Sequence, residues 1–230
     1  MNAASSGLCS SDQGRADCSA ALARVLVVKD LCFAYPGQPP LLSGWSASIG
    51  AGLTQLYGDD GSGKSTLLRL LAGRLPAKGE LTLARAGSSA DLKSYQRSVF
   101  FVDPETDEFS DVTAMECTSL LRAGDASFDE TGWQRCVEGF SLAPHLAKPM
   151  YMLSTGSKRK VWLAAALASG RELTLFDEPT AALDAASIRF FWRALAEMAG
   201  RPERAIIVAS AARIVSSPLA GCIELAAPSS

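Results

Sequence analysis

Residues 58–66 read GDDGSGKST, a stretch in which three glycines are interleaved ahead of a lysine and two hydroxyl side chains. Glycine lets the backbone turn where other side chains clash, so successive N–H groups can point inward at one anion instead of pairing in a sheet. The preceding residues, 53–57, predict a short strand, and the leucines that follow predict a helix over 65–73. A glycine-rich loop between a strand and the positive end of a helix is typical of a phosphate site.

The spacing of this phosphate loop assigns chemistry to its polar side chains. Lys64 is placed to reach the β- and γ-phosphates of a nucleotide, and the Ser65 hydroxyl is placed to bind Mg²⁺. The predicted phosphate-binding residues are Gly58, Asp59, Asp60, Gly61, Ser62, Gly63, Lys64, Ser65 and Thr66. Taken alone, the stretch leaves an ordinary glycine-rich turn as the alternative.

A second region, residues 172–178, reads ELTLFDE and is an apolar run that ends in two carboxylates. It predicts a buried parallel strand that delivers Asp177 and Glu178 to the carboxyl edge of a sheet, where ligands bind. There Asp177 would hold Mg²⁺, directly or through water, and Glu178 would polarise the water that attacks the γ-phosphate. A surface turn is disfavoured, because a turn does not need so apolar a lead-in.

Residues 153–157 read LSTGS and run into a helix-forming stretch, 161–168. Together with the phosphate loop and the paired carboxylates, this segment resembles the signature of the ATP-binding cassette (ABC) ATPases, usually written LSGGQ. Thr155 stands where that family normally has Gly, and Ser157 where Gln is common. The resemblance implies that Ser154 and Gly156 cap the γ-phosphate held by another subunit, although Ser154 also fits an ordinary N-cap. We interpret the basic residues 158–160 as a solvated face.

Two further positions match the family pattern. Tyr35 resembles the family's aromatic platform, on which adenine stacks with little base readout. Residues 180–184, TAALD, resemble the D-loop that lines the family's dimer seam, so Asp184 is predicted to lie near the bound nucleotide.

Two residues that the family normally has are missing. After the predicted strand 98–102, where the family has a Gln, the chain has Asp103-Pro104-Glu105, so Asp103 or Glu105 is the candidate oxygen ligand, and Gln96 lies at the wrong end of that strand. After the predicted strand 205–209, where the family has a switch His, the chain has Ser210 or Ala211. The chain's single histidine, His145, precedes the signature segment and cannot fill that role.

The absence of the family's Gln and switch His predicts slow hydrolysis of ATP. Each lost contact to the transferred phosphoryl group costs a few kcal/mol of transition-state stabilisation, which is roughly a tenfold to thousandfold loss of rate. Because Lys64, Asp177 and Glu178 are retained, we expect ATP hydrolysis to persist.

Composition limits the other function classes. The chain has 230 residues with 22 basic and 24 acidic side chains, a net charge of −2, so no electrostatic footprint for nucleic acid is visible. The longest apolar runs, 161–168 and 173–176, are far shorter than the roughly twenty residues of a membrane span. No C-x-x-C pair occurs, which argues for reduced thiols rather than a metal site or disulfide framework. The six cysteines are Cys9, Cys18, Cys32, Cys117, Cys136 and Cys222.

The predicted fold class is α/β: a P-loop NTPase of the ABC ATPase type, with a mixed sheet core, an antiparallel β edge and a helical subdomain. Residues 1–21 lack the apolar region of a secretion signal and predict a disordered tail. Residues 22–230 form the predicted nucleotide-binding domain, with its helical subdomain at about 105–170 and a frayed end at 226–230. Asp111, Asp129 and Ser154 are the predicted helix N-caps in that subdomain.

The resemblance implies an ATPase subunit of an ABC transporter that uses ATP and Mg²⁺. It would dimerise with itself or with a second cassette and sandwich two nucleotides, and a separate membrane subunit would dock on the helical subdomain and the 103–109 loop. This places it in the cytoplasm, at the inner face of the membrane. Two alternatives remain open: a weakly hydrolysing, nucleotide-gated regulatory cassette, and a soluble ABC protein that acts on ribosomes or DNA. Members of that last class usually carry two cassettes or a coiled-coil insertion, and neither is visible here.

Overall fold

The computed structural model describes residues 24–225, so the predicted tail and the predicted frayed end lie outside the described residues. The strands are β1 (Arg24–Phe33), β2 (Leu42–Gly50), β3 (Gly52–Tyr57), β4 (Lys78–Leu83), β5 (Gly87–Ser88), β6 (Val99–Phe100), β7 (Leu173–Asp177), β8 (Ala205–Ser210) and β9 (Gly221–Glu224). The helices are α1 (Lys64–Leu71), α2 (Leu92–Arg97), α3 (Ala114–Leu121), α4 (Glu130–Gly139), α5 (Thr155–Ala168) and α6 (Ala185–Ala199). Two 3-10 turns cover Ala143–His145 and Met150–Met152.

The strands form two sheets. One is antiparallel in the order β2-β1-β4-β5, and the other is parallel in the order β6-β7-β8-β3-β9. The predicted α/β class with both parallel and antiparallel strands is therefore confirmed. In the parallel sheet β8 lies between β3 and β7, so the loops that follow these three strands open at one edge.

Helix α1 packs between the two sheets. Its leucines Leu67, Leu68 and Leu71 are fully buried, and they belong to one apolar cluster with Leu26 of β1 and Leu56 of β3. Burial of each such side chain contributes about 1.5–3 kcal/mol. This packing holds the start of α1, and with it the phosphate loop, rigidly at the end of β3.

Helices α3, α4 and α5 pack on a second apolar cluster, which Phe176 and Ile206 join from the parallel sheet. Asp129 caps α4 by accepting from Gly132 N at 2.8 Å, as predicted. The prediction of Asp111 as the cap of α3 was wrong. Thr113 caps that helix in a capping box: its side chain accepts from Glu116 N, and the Glu116 carboxylate accepts from Thr113 N at 2.8 Å.

Candidate active site

The phosphate loop connects β3 to α1 and curls around the Lys64 ammonium. Lys64 Nζ donates to the carbonyls of Gly58 at 2.8 Å and Asp59 at 2.9 Å, and its side chain is buried. Ser62 N donates to Asp59 O at 3.1 Å and closes the turn. A buried cation beside the free N–H groups of a helix start gives this loop the electrostatics of an anion site.

Only glycine fits at two positions of the loop. Gly63 has φ +92°, and a Cβ there would stand 2.6 Å from Leu41 Cδ1. At Gly58 a Cβ would stand 2.6 Å from Ser62 Oγ and 2.8 Å from Leu225 O. These two glycines are therefore required by close contacts with neighbouring groups as well as by the turn itself.

The Ser62 hydroxyl is a polar group without a partner. Its Oγ is buried and makes no hydrogen bond with any residue from 24 to 225. A buried hydroxyl left unpaired costs about 1–3 kcal/mol, so its position on the inside of the loop fits a phosphate oxygen as the partner. Asp59, Asp60 and Gly61 are exposed on the outer part of the loop.

Asp177 ends β7 and meets the phosphate loop. The Ser65 hydroxyl lies beside its carboxylate, so the first turn of α1 and the carboxyl edge of the sheet are close together. Burial raises the pKa of Asp177, and the nearby Ser65 hydroxyl and the positive charges of Arg69 and Lys64 oppose that rise. The structure thus brings together the two predicted oxygen ligands, Ser65 and Asp177, which are 112 positions apart in the sequence (177 − 65).

Glu178 follows in a left-handed backbone conformation, with φ +41°. Its N–H donates to Ala209 O at 3.1 Å, and its Oε1 accepts from Ala211 N at 2.8 Å. Burial raises the pKa of Glu178, the Ala211 N–H lowers it, and Asp177 adds to the rise. The carboxylate is therefore held by the end of β8, and its raised pKa suits a group that takes up a proton.

Arg159, on the signature helix α5, contacts the two carboxylate residues, which the sequence did not predict. Its guanidinium donates to the carbonyl oxygens of Glu178 and, at 3.4 Å, of Asp177. Burial lowers the pKa of Arg159, and the two neighbouring carboxylates raise it. The interpretation of residues 158–160 as a solvated face was wrong for Arg159 and for Lys160, which pairs with Asp184 at 2.6 Å.

The signature segment lies at the start of α5. Ser154 is its N-cap and accepts from Ser157 N at 3.2 Å. At Gly156 a Cβ would stand 2.5 Å from Ala182 O, so the signature and the D-loop are in close contact within one chain. Among the described residues, no hydrogen bond joins Ser154 to the phosphate loop.

Tyr35 and Asp184 are each held by side chains of neighbouring helices. Tyr35 is about one-third exposed, and its hydroxyl shares a hydrogen bond with Thr66 Oγ1 at 3.0 Å, so the ring lies beside α1. Asp184 caps α6 by accepting from Ser187 N at 2.8 Å, and it also accepts from Lys160. The Lys160 hydrogen bond, with the Ser187 contacts, holds the pKa of Asp184 well below its usual range.

The two atypical positions also lie at this edge of the sheet. Asp103 is engaged by Arg69 of α1, whose Nε donates to Oδ2 at 2.6 Å. Ser210 ends β8 opposite Tyr57 in the strand register, so it occupies the same edge as the phosphate loop. Gln96 donates to Gly73 O at 2.6 Å, at the other end of α1. His145 lies in a 3-10 turn between α4 and α5, away from the carboxylates.

Comparison with known proteins gives one family. The model for "ABC transporter" proteins matches residues 43–181. The cytochrome c biogenesis ATP-binding export protein CcmA of Rhodospirillum rubrum is 39% identical over 154 residues, which cover 66% of this chain and 66% of that protein. CcmA of Legionella pneumophila is 37% identical over 175 residues, which cover 75% of this chain and 86% of that protein. The nickel import ATP-binding protein NikO of Rhodobacter capsulatus is 37% identical over 172 residues, covering 66% and 65%.

Solved structures agree on the fold. The ATP-binding subunit of an ABC transporter superposes with a TM-score of 0.70 at 23% identity and covers 81% of this chain and 79% of its own. The cbiO1 subunit of Clostridium perfringens, part of a cbiONQ transporter complex, gives a TM-score of 0.60 at 25% identity, with coverages of 82% and 78%. Within residues 24–225, none of the helices combines the length and apolarity that crossing a membrane requires.

Proposed function

Because the chain belongs to the ABC transporter family of ATP-binding proteins, whose members are ATPases, we propose that it binds and hydrolyses ATP to drive a separate membrane subunit. One observation carries the assignment to the nucleotide site. The Ser65 hydroxyl, one residue after the phosphate-loop Lys64, lies close enough to Asp177 at the end of β7 to lower the pKa of that carboxyl group. Phosphate-binding and carboxylate elements that are distant in sequence therefore form one site.

The residues present suit Mg²⁺ as the companion of ATP. A hard divalent cation takes oxygen ligands and usually binds one or two carboxylates together with the substrate phosphates. The Ser65 hydroxyl and the Asp177 carboxylate supply such oxygens side by side. Bound there, Mg²⁺ would neutralise charge on the β- and γ-phosphate oxygens.

The chain's own side chains divide the remaining work. Lys64 would leave the Gly58 and Asp59 carbonyls to bind phosphate oxygens, and the Ser62 hydroxyl would gain its missing partner. Glu178, held by Ala211 N, would accept the proton of the attacking water. Tyr35 would turn its ring to adenine.

Slow turnover follows from the atypical edge residues. Ser210 is too short to replace an imidazole at the γ-phosphate, and Asp103 is committed to Arg69. Loss of one contact of this kind lowers the hydrolysis rate roughly tenfold to thousandfold, and each factor of ten corresponds to roughly 1.4 kcal/mol of activation free energy. We therefore propose a working ATPase that is slower than a cassette with both residues.

Dimerisation would complete the site. Ser154 and Thr155 are exposed at the free N–H end of α5, where a phosphate held by a second subunit can be bound. Asp184, at the start of α6, lies on the same side through its ion pair with Lys160 of α5. The second subunit is either another copy or a different cassette.

The membrane subunit would dock in a groove of about 720 Å³ between α1 and the helical block. Its lining is apolar at Leu75, Phe101, Phe109 and Leu120, basic at Arg69, Arg74, Lys93, Arg97 and Arg171, and acidic at Asp103 and Glu108. The excess of basic side chains favours a segment with acidic residues. Such a partner places the chain at the inner face of the membrane. The named relatives include an export protein and an import protein, so the resemblance is compatible with either direction of transport.

The test is steady-state ATP hydrolysis by the purified chain, compared with Glu178→Gln. The variant is expected to lose at least about 100-fold in rate while still binding ATP. It is also expected to elute from a sizing column as a dimer when ATP and Mg²⁺ are added. Equal rates in both proteins would refute the hydrolytic role, and ATP-dependent dimers under that condition would favour the regulatory cassette.

A further inference from the structure

An arginine–carboxylate pair occupies the place beside the nucleotide site where the family normally has a Gln. Arg69 Nε donates to Asp103 Oδ2 at 2.6 Å, and Arg69 Nη2 donates to Asp103 Oδ1 at 3.1 Å. The same Nη2 reaches Glu105 Oε2 at 3.3 Å, and Glu105 N donates to Asp103 Oδ1 at 3.1 Å. Two parallel N–H···O contacts fix a carboxylate in direction as well as in distance.

The pair is built on the helix that carries the phosphate loop. Ser65 and Arg69 are one turn apart on α1, so they lie on the same face of that helix. Ser65 lies near Asp177 at the end of β7, and Arg69 donates to Asp103 after β6, the neighbouring strand. One helix face thus holds two carboxylates that follow adjacent strands.

Without Arg69, this arrangement would be unfavourable for an anionic ligand. Asp103 would add a third carboxylate to Asp177 and Glu178 at the edge where a triphosphate binds. Both Arg69 and Asp103 are about three-quarters buried, so water screens the charge only in part. An uncharged Gln needs no such compensation.

We propose that Arg69 is a positioning residue of the nucleotide site, which holds Asp103 as its counter-ion and keeps that carboxylate from becoming a metal ligand. This inference rests on the proposed function, because it requires that MgATP binds at the phosphate loop. It is an alternative to the expectation that Asp103 or Glu105 substitutes for Gln as an oxygen ligand. It also ties the 103–109 loop, which lines the groove, to the helix that holds the phosphates.

The experiment measures binding of a fluorescent ATP analogue to the full chain, with and without Mg²⁺, and records the Mg²⁺ concentration at half-maximal binding. The variants are Arg69→Gln, Asp103→Asn and the two combined. Arg69→Gln is expected to weaken binding about tenfold, because Asp103 is then uncompensated. Asp103→Asn is expected to bind within about threefold of wild type with an unchanged Mg²⁺ midpoint, and the double variant to recover to that level.

Two further variants complete the comparison. Arg189→Gln, which removes an exposed arginine of α6, is the charge-matched control and should bind as wild type does. Arg69→Lys keeps the charge without the paired contacts and should lie between wild type and Arg69→Gln, and it replaces Arg69→Gln where that variant folds poorly.

Specific results would overturn the inference. A large rise of the Mg²⁺ midpoint in Asp103→Asn would show that Asp103 is a metal ligand. A double variant that binds the analogue no more tightly than Arg69→Gln would rule out charge compensation. A wild-type chain that does not bind the analogue would refute the proposed function itself, whereas binding without hydrolysis would leave this inference standing.

Discussion

Replacing Arg159 by methionine tests whether the signature helix holds the backbone of Glu178, the proposed catalytic residue, within one chain. The substitution removes a guanidinium that donates to the carbonyls of Asp177 and Glu178 and keeps a similar apolar stem. Hydrogen bonds from a charged donor contribute about 1.5–3 kcal/mol. The left-handed conformation of Glu178 costs about 1–2 kcal/mol in a residue with a side chain.

Because these two quantities are similar, the loss of Arg159 should let the Glu178 backbone relax. About 1.4–2.8 kcal/mol of lost positioning corresponds to a tenfold to hundredfold fall in the hydrolysis rate. Stability should change little, because the strain released at Glu178 offsets most of the hydrogen bonding that is lost. ATP affinity should stay within about threefold, since Arg159 makes no hydrogen bond to the phosphate loop among the described residues.

The measurements are the rate at saturating ATP, the affinity for ATP and the thermal midpoint. Lys158→Met is the matched control, because Lys158 is the preceding residue of α5 and none of its contacts within residues 24–225 is an ion pair. It should keep the wild-type rate. An Arg159→Met protein that hydrolyses ATP at the wild-type rate would show that the Glu178 backbone needs no such support. A loss of rate that only matches a collapse of the thermal midpoint would refute the argument in the same way.

Three further predictions concern the nucleotide, the dimer and pH. Tyr35→Ala should weaken ATP binding about tenfold or more, at 1–3 kcal/mol per stacked base, whereas Tyr35→Phe keeps the ring and should bind nearly as wild type does in equilibrium titration. Gly156→Ala should leave ATP binding by the monomer unchanged but abolish ATP-dependent dimers in Glu178→Gln on a sizing column, because the new Cβ would stand 2.5 Å from Ala182 O. Dimers that persist would contradict this. Burial raises the pKa of Glu178, so the folded state binds its proton more tightly than the unfolded state, and stability is lost as pH rises through the raised pKa. Glu178→Gln without nucleotide should therefore raise the thermal midpoint at about pH 7–8, with the gain vanishing near pH 4, and an equal gain at both would rule out the titration.

Much of the site follows from local sequence because its geometry is local. The glycines of the phosphate loop and the leucines of α1 specify a strand, a turn and a helix within about twenty residues. The α3 cap shows how a local signal can be missed: Thr113 and Glu116 have the spacing of a capping box, yet Asp111, two residues earlier, was the predicted cap.

What only the tertiary structure decided is which charges meet. The amino-acid sequence by itself predicted the fold family, the phosphate loop and the paired carboxylates, because each motif is specified within its own short segment. It could not place Arg69 against Asp103, 34 positions away, or Arg159 against the Glu178 carbonyl, 19 positions away across a change of element. Those contacts depend on β6 lying beside β7 and on α5 packing over the end of β7. These contacts join residues that are distant in sequence, because the oxygen partner of a partly buried arginine depends on which elements the fold places beside it.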